Sequence, residues 1–165
     1  MAWTTPKSWS VGELLTAANF NAQIRDNTAY LAAMAKTQVQ HTPTADYTRT
    51  GATTWAAVDA VNLAGSITIA AGTRIKFTVE LVMLNNCTSP DYGAVTIFMD
   101  GVNIGDANYG IMSTLSSRLR TGAVYLKTGV AAGAHTFELQ FRTSNSGLTT
   151  TIYAYSTIVL LAEEC

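Results

Sequence analysis

A chain of 165 residues has room for one domain and a short appendage. Hydrophobic residues make up 48% of it, charged residues only 13%, and the net charge is -1. That balance excludes the basic patch or stripe of a nucleic-acid binder, and no apolar run reaches the ~18 residues of a membrane span. Charge this sparse implies a surface of uncharged Thr, Ser and Asn, or one covered by self-association. The N-terminus carries no basic segment followed by an apolar stretch, so no signal peptide is expected. Cys87 and Cys165 are too far apart for a metal-ligand spacing or a disulfide framework. Two free thiols in a protein made in the cytoplasm are expected.

In chain order, residues 1–10 form an extended arm holding Trp3, Pro6 and Trp9, with Lys7 its only charge. Ser10 and Glu13 have capping-box spacing, which predicts a first helical turn from Val11. Thr16 is a second N-cap candidate. From there to about Ala35 the composition is helical, without Gly or Pro. Ala17, Phe20, Ile24, Leu31 and Met34 fall on one seam, and Asn27 fills its gap to complete a 3-4-3-4 series. Such a seam predicts helix-on-helix packing, with the Asn setting register or oligomer state. The competing expectation is an amphipathic helix lying on its own β domain. Asn21 and Arg25, four apart, share a helix face and are candidates to bond a partner together. Asp26 points elsewhere, towards a neighbouring subunit's Arg25 or another helix end.

After Lys36 the period becomes two, and a β domain is expected over residues 39–165. In "RIKFTVELVM", Ile75, Phe77, Val79, Leu81 and Met83 alternate with polar residues. In "HTFELQFR", Phe137, Leu139 and Phe141 do the same. Both patterns predict half-buried antiparallel strands. "VTIFMDGVNIG" predicts a hairpin turning at Asp100-Gly101. "SITIAAGTRIKF" predicts another, turning at Ala71-Gly72. Ala-Ala-Gly precedes a Phe-containing strand twice, an internal echo without a fixed period. "IYAYSTIVLL" is apolar on both faces and reads as a central or interface strand bearing Tyr153 and Tyr155. About eight short strands with regular turns predict a mainly β fold, an antiparallel sandwich or jelly roll behind an N-terminal arm and short helix.

No constellation in the sequence carries chemistry. His41 and His135 have no Cys, Asp or Glu at ligand spacing, so no metal site is expected. No GxSxG motif or phosphate-cradling Gly loop occurs. Cys87 reads as a loop or strand-end residue. Among the carboxylates Glu80, Asp91, Asp100, Asp106 and Glu138, Asp100 and Asp91 have turn roles that explain them. Neither enzymatic activity nor a cofactor is expected. Trp55, Tyr92, Tyr109, Tyr125, Tyr153 and Tyr155 offer aromatics for carbohydrate, but nothing in the sequence gathers them into one site.

The stretch "AWTTPKSWSVGELLTAANFNAQIRDNTAYL" resembles the opening of tailed-bacteriophage virion proteins. The shared features fall at Trp3 and Pro6, Gly12-Glu13, Thr16-Ala17-Ala18, Asn21, and Arg25-Asp26-Asn27. Asn19-Phe20 stands where that family often has an acid before a Leu-Asn pair. "AAGAHTFELQFRTSNSG" is similar to a strand of phage β-sandwich domains that look like trimeric tumour-necrosis-factor or complement jelly rolls. The resemblance implies a non-enzymatic virion structural protein assembled in the bacterial host cytoplasm and does not specify which virion part. One arm and one globular module with no long shaft tip the expectation towards a homotrimeric capsid decoration (cement) protein. Its partners would be copies of itself and the major capsid or a tail protein. Residues 1–36 would be the anchor and oligomerisation element. The expected interface residues are Trp3, Trp9, Phe20, Asn21, Ile24, Arg25, Asp26, Asn27 and Leu31, with Tyr153 and Tyr155 between subunits. The alternatives are a tail or fibre component that contacts host-surface glycans, and a non-viral carbohydrate-binding module.

Overall fold

A computed structural model describes residues 10–14, 16–21, 24, 36–69, 74–86, 91–114 and 118–165. The described helix is short: α1 (Ala17–Phe20), capped by the Thr16 side chain, which accepts from Asn19 N at 3.2 Å. The second N-cap candidate is therefore the true one. Ser10 and Glu13 instead close a tight turn. Glu13 N donates to Ser10 O at 3.0 Å, and Ser10 N donates to the Glu13 carboxylate at 3.3 Å. Gly12 at φ +83 supplies the left-handed residue that the turn needs and that a helical turn does not use. The rest of the expected helix, from Arg25 to Ala35, lies outside the described residues.

Among the described residues twelve strands follow: β1 (Lys36–His41), β2 (Tyr47–Thr50), β3 (Ala56–Ala57), β4 (Ala64–Ile69), β5 (Arg74–Asn85), β6 (Gly93–Met99), β7 (Val102–Asn103), β8 (Met112–Thr114), β9 (Leu119–Thr128), β10 (Gly133–Thr143), β11 (Thr149–Ile152) and β12 (Ile158–Glu164). They form two antiparallel sheets. In the β5 sheet, β9 runs along one edge of β5, while β12 and then β11 share the other. β1 and β2 continue outward from these two. In the β10 sheet, β4 and β3 share one edge of β10 and β6 takes the other, with β7 and β8 beyond β6. Where two short strands share an edge they occupy one place, which leaves eight places, four per sheet. The chain's route through them is that of a jelly roll.

Alternation dictates the core. Ile75, Phe77, Val79, Leu81 and Met83 from β5 meet Val95, Ile97, Phe137 and Leu139 from the β10 sheet, all buried. Each such side chain contributes about 1.5–3 kcal/mol through burial. The echoed strands β5 and β10 hold equivalent central places, one per sheet. Their phenylalanines meet at the sandwich centre, Phe77 against Phe137, with ring centroids 5.7 Å apart at 70°. That edge-to-face geometry favours aromatic pairs.

Two strand expectations are corrected. The Asp100-Gly101 hairpin forms, with φ of 51 and 77, the two left-handed residues of a type I′ turn. The Ala71-Gly72 hairpin does not, because β4 pairs with β10 and β5 with β9, β11 and β12. Ala71-Gly72 itself lies outside the described residues, but the strands on either side of it belong to different sheets, and alternation looks the same in either sheet. The doubly apolar segment is likewise two strands, β11 and β12, with residues 153–157 turning between them. β12 is central, but Tyr155 stands in the turn at φ 57 rather than on a strand.

Candidate functional site

Two polar clusters look reactive in outline, and both act as struts. His135 Nδ1 lies 2.7 Å from Asp100 Oδ2 and Nε2 lies 3.0 Å from Ala131 O. Both neighbours are acceptors, so the arrangement suits an imidazolium donating from both nitrogens. The Asp100 hydrogen bond, then the Ala131 carbonyl, raises the His135 pKa. Asp100 is held below the usual carboxylate range, chiefly by His135, with Thr136 N also donating at 2.8 Å. A ring with both nitrogens engaged has no free base. From β10 it pins the β6–β7 turn at Asp100 and the β9–β10 connection at Ala131, beside a cavity of about 280 Å³ lined by Met99, Val102, Lys127 and Val130.

At another place Tyr47 donates to Asp59 at 2.5 Å. Val61 N, Asn62 N and the Asn62 amide, each at 2.9 Å, also donate to Asp59. Burial works to raise the Asp59 carboxyl, but these hydrogen bonds outweigh it and hold it low. Burial and Asp59 together push Tyr47 up to about 12. A phenol so strongly held is a clamp on the β3–β4 loop. Among the described residues no group of three or more His, Cys, Asp or Glu is placed to hold a metal. Among them, too, no helix is long and apolar enough to cross a membrane.

The larger surfaces are the outer faces of the sheets. On the β5 sheet, residues line up across four strands. One row runs Lys36, Glu163, Lys76, Leu126, and the next Gln38, Leu161, Thr78, Val124. Glu163 bridges Lys36 at 3.3 Å and Lys76 at 2.6 Å, while Arg120 meets Glu80 at 3.5 Å. Between the ion pairs lie aliphatic side chains: Val82, Leu84, Val159 and Leu161 half-buried, Leu126 exposed, and Val124 69% exposed.

The outer face of the β10 sheet differs. Its outward strand positions are mostly small or polar, and its one large ring is Phe98. Trp55 reaches over this face to Phe98, centroid to centroid 6.5 Å, and donates from Nε1 to Ala107 O at 3.2 Å. Arg142 lies 5.4 Å above the Trp55 ring and donates to the same carbonyl at 3.3 Å. Asp106 accepts from Asn108 N and Tyr109 N, each at 2.8 Å, which shapes that loop. Tyr109, 56% exposed, lies 4.7 Å from Tyr92. The expectation that nothing gathers the aromatics is thus corrected for Trp55, Tyr92 and Tyr109. Loops far apart in sequence converge on one sheet face, and no local signal announces that.

Of the expected interface residues, Trp3, Trp9, Arg25, Asp26, Asn27 and Leu31 lie outside the described residues, as does Cys87. Phe20 and Ile24 are exposed and Asn21 half-buried, its N–H bonding back to Ala17 and Ala18. α1 buries no residue. Val11 and Leu14 are also exposed, and neither falls on the seam, so the heptad pattern does not point to them. Tyr153 is half-buried under Arg118, 3.8 Å from its ring, and Tyr155 is 81% exposed. The two tyrosines do not share a surface strand. Cys165 is a free, exposed thiol.

No family model matches the chain. No curated protein matches it either. Among solved structures, the infectious bursal disease virus VP2 subviral particle is similar at 16% identity and TM-score 0.41, over 78% of this chain and 37% of that one. The Gx strain structure of the same virus gives 16% and 0.40, over 78% and 35%. The EclA C-terminal domain, a sugar-binding protein, gives 14% and 0.36, over 75% and 77%. The chain spans just over a third of the length of the viral protein it matches.

Proposed function

We propose that this chain is a non-enzymatic structural protein of a tailed-phage virion, a capsid decoration protein acting as a homotrimer. Residues 1–36 attach it, and the jelly roll is its outward module. The observation that carries the reading is the exposure of Val11, Leu14, Phe20 and Ile24 beside a core cluster that includes none of them. A contiguous segment this apolar is poorly suited to water and well suited to a partner's groove. The N-terminal resemblance to virion proteins says which class of partner. The aliphatic outer face of the β5 sheet, where Lys36, Lys76, Glu163, Arg120 and Glu80 are held in ion pairs, suits contact between copies. A tail or fibre position satisfies the same attachment chemistry, and imaging a virion by cryo-EM separates the two.

The test removes residues 1–15 in one variant and makes Arg25→Glu in another. Binding to capsids lacking the protein is then measured alongside circular dichroism. Lost binding with an unchanged β spectrum and melting temperature is the expected result. Full binding by the truncated chain sinks the attachment reading. Collapse of the β spectrum would mean that the segment belongs to the fold. Light scattering on the eluting peak should give three chains per particle, and a clean monomer at micromolar concentration refutes the trimer.

A further inference from the structure

We infer that the outer face of the β10 sheet binds an uncharged glycan. The site runs from Tyr92 and Tyr109 across Trp55 to Phe98 and Glu138. Three observations select that ligand. The first is shape: next to Phe98 and Glu138 lies a hollow of about 280 Å³, floored by Ala64, Gly65 and Thr136. Trp55 and Tyr109 stand to one side of it on the loops that cover Thr96 and Gln140.

The second is the kind of side chain. A pyranose has C–H groups on its faces and hydroxyls round its rim. It needs flat rings to lie against and fixed polar groups at the edge. Tyr and Trp supply rigid amphipathic area at small entropic cost. Among the described residues, no outward strand position of this sheet carries Val, Leu, Ile or Met. Protein interfaces also draw on Trp, Tyr and Arg, but here the rings stand over a platform of small and polar residues beside a hollow, with no continuous apolar patch around them among the described residues.

The third is charge. Arg142 is engaged by Ala107 O and the Trp55 ring and attracted by Asp106. Glu138 accepts from the Gln140 amide. Arg142 is thus answered by Asp106, while Glu138 is bonded only by a neutral amide, so the described surface offers no free cation to a sulfated, phosphorylated or sialylated sugar and its remaining carboxylate repels one. The Glu138 carboxylate retains acceptor capacity for hydroxyls.

This inference goes beyond the virion reading and does not depend on it, because the test uses the isolated full chain. The protein is applied to an array of neutral and acidic oligosaccharides, where dense display makes weak single-site binding visible. The strongest neutral oligosaccharide is then titrated in solution, with binding followed by the NMR shifts of protein resonances. The expected result is a neutral, hexose-containing class bound without a requirement for charge. Tyr109→Ala should weaken it by about tenfold, and Glu138→Gln by a lesser factor. Val61→Ala, on the exposed β3–β4 loop, should leave it unchanged. Tyr109 is exposed, so its variant is expected to fold, and circular dichroism checks this. Binding to acidic glycans alone, no glycan bound at all, or full affinity in both the Tyr109 and Glu138 variants overturns the inference.

Discussion

The two outer faces of this sandwich come from strands of the same alternating pattern, yet they differ in chemistry. The β5 sheet presents Val82, Val124, Val159 and Leu161 among closed ion pairs. The β10 sheet presents Thr96, Gln140, Ala94 and Arg142, over which loops bring Trp55 and Tyr109. Strand residues alone make the first surface. Loops laid across a plain platform make the second. The first suits a broad contact between copies, and the second suits a ligand that needs few, well-placed rings.

The largest effect should come from breaking the layer that both faces share. Phe137→Ala removes half of the central ring pair, and a large-to-small change there costs about 3–5 kcal/mol. Urea unfolding should show it, with both faces lost together. Next is Gly110→Ala. Gly110 has φ +66, and an added Cβ would lie 2.3 Å from Val95 O and 2.9 Å from the Trp55 ring. The cost is about 1–3 kcal/mol from strain and crowding. The loss should fall on the aromatic side, leaving the oligomeric state untouched, and a change in that state would show the two faces to be coupled.

Leu161→Glu sharpens the other side of the comparison. It should dissociate the assembly in light scattering, because an unpaired charge would be buried between copies. The half-buried site should lower the stability of the single chain by only about 1 kcal/mol. Tyr155→Gly tests whether the exposed turn tyrosine serves contact or only tolerates its backbone. At φ 57 a glycine relieves strain, which predicts a gain of roughly 1 kcal/mol in unfolding free energy. A loss of assembly in that variant would instead mark Tyr155 as part of the interface.

The smallest effect is the pH response of the His135–Asp100 contact, which ties β10 to the β6–β7 turn. The His135 pKa is raised above its ordinary 6.5, so its stabilisation is fully present below 6.5 and is lost as pH rises through the folded value. The Asp100 pKa is lowered below 3.8, so its share is present above 3.8 and is lost as pH falls through the folded value. Stability from this pair should therefore be greatest between about pH 4 and 6.5. It should fall on the alkaline side by about 0.5–1 kcal/mol, a modest figure because Asp100 is 48% exposed. Thermal melts from pH 5 to 9 should show the slope, and His135→Asn should flatten it.

What the sequence determined by itself is the local geometry. Alternation in β5 and β10 told which side chains face inward, because the pleat has a period of two wherever the strand sits. Asp100-Gly101 specified its turn, and Thr16 its cap, through bonds spanning two or three residues. The tertiary structure alone decided which strand lies beside which. A turn at Ala71-Gly72 is compatible with a hairpin or a crossing between sheets, and only the summed burial of both faces chooses. Nor do local residues say that His135 will meet Asp100, 35 positions away, or that Trp55 will meet Ala107, 52 away. Contacts of that separation carry no periodic signal. They exist because the packed core brings the loops together, and the candidate binding surface is made of them.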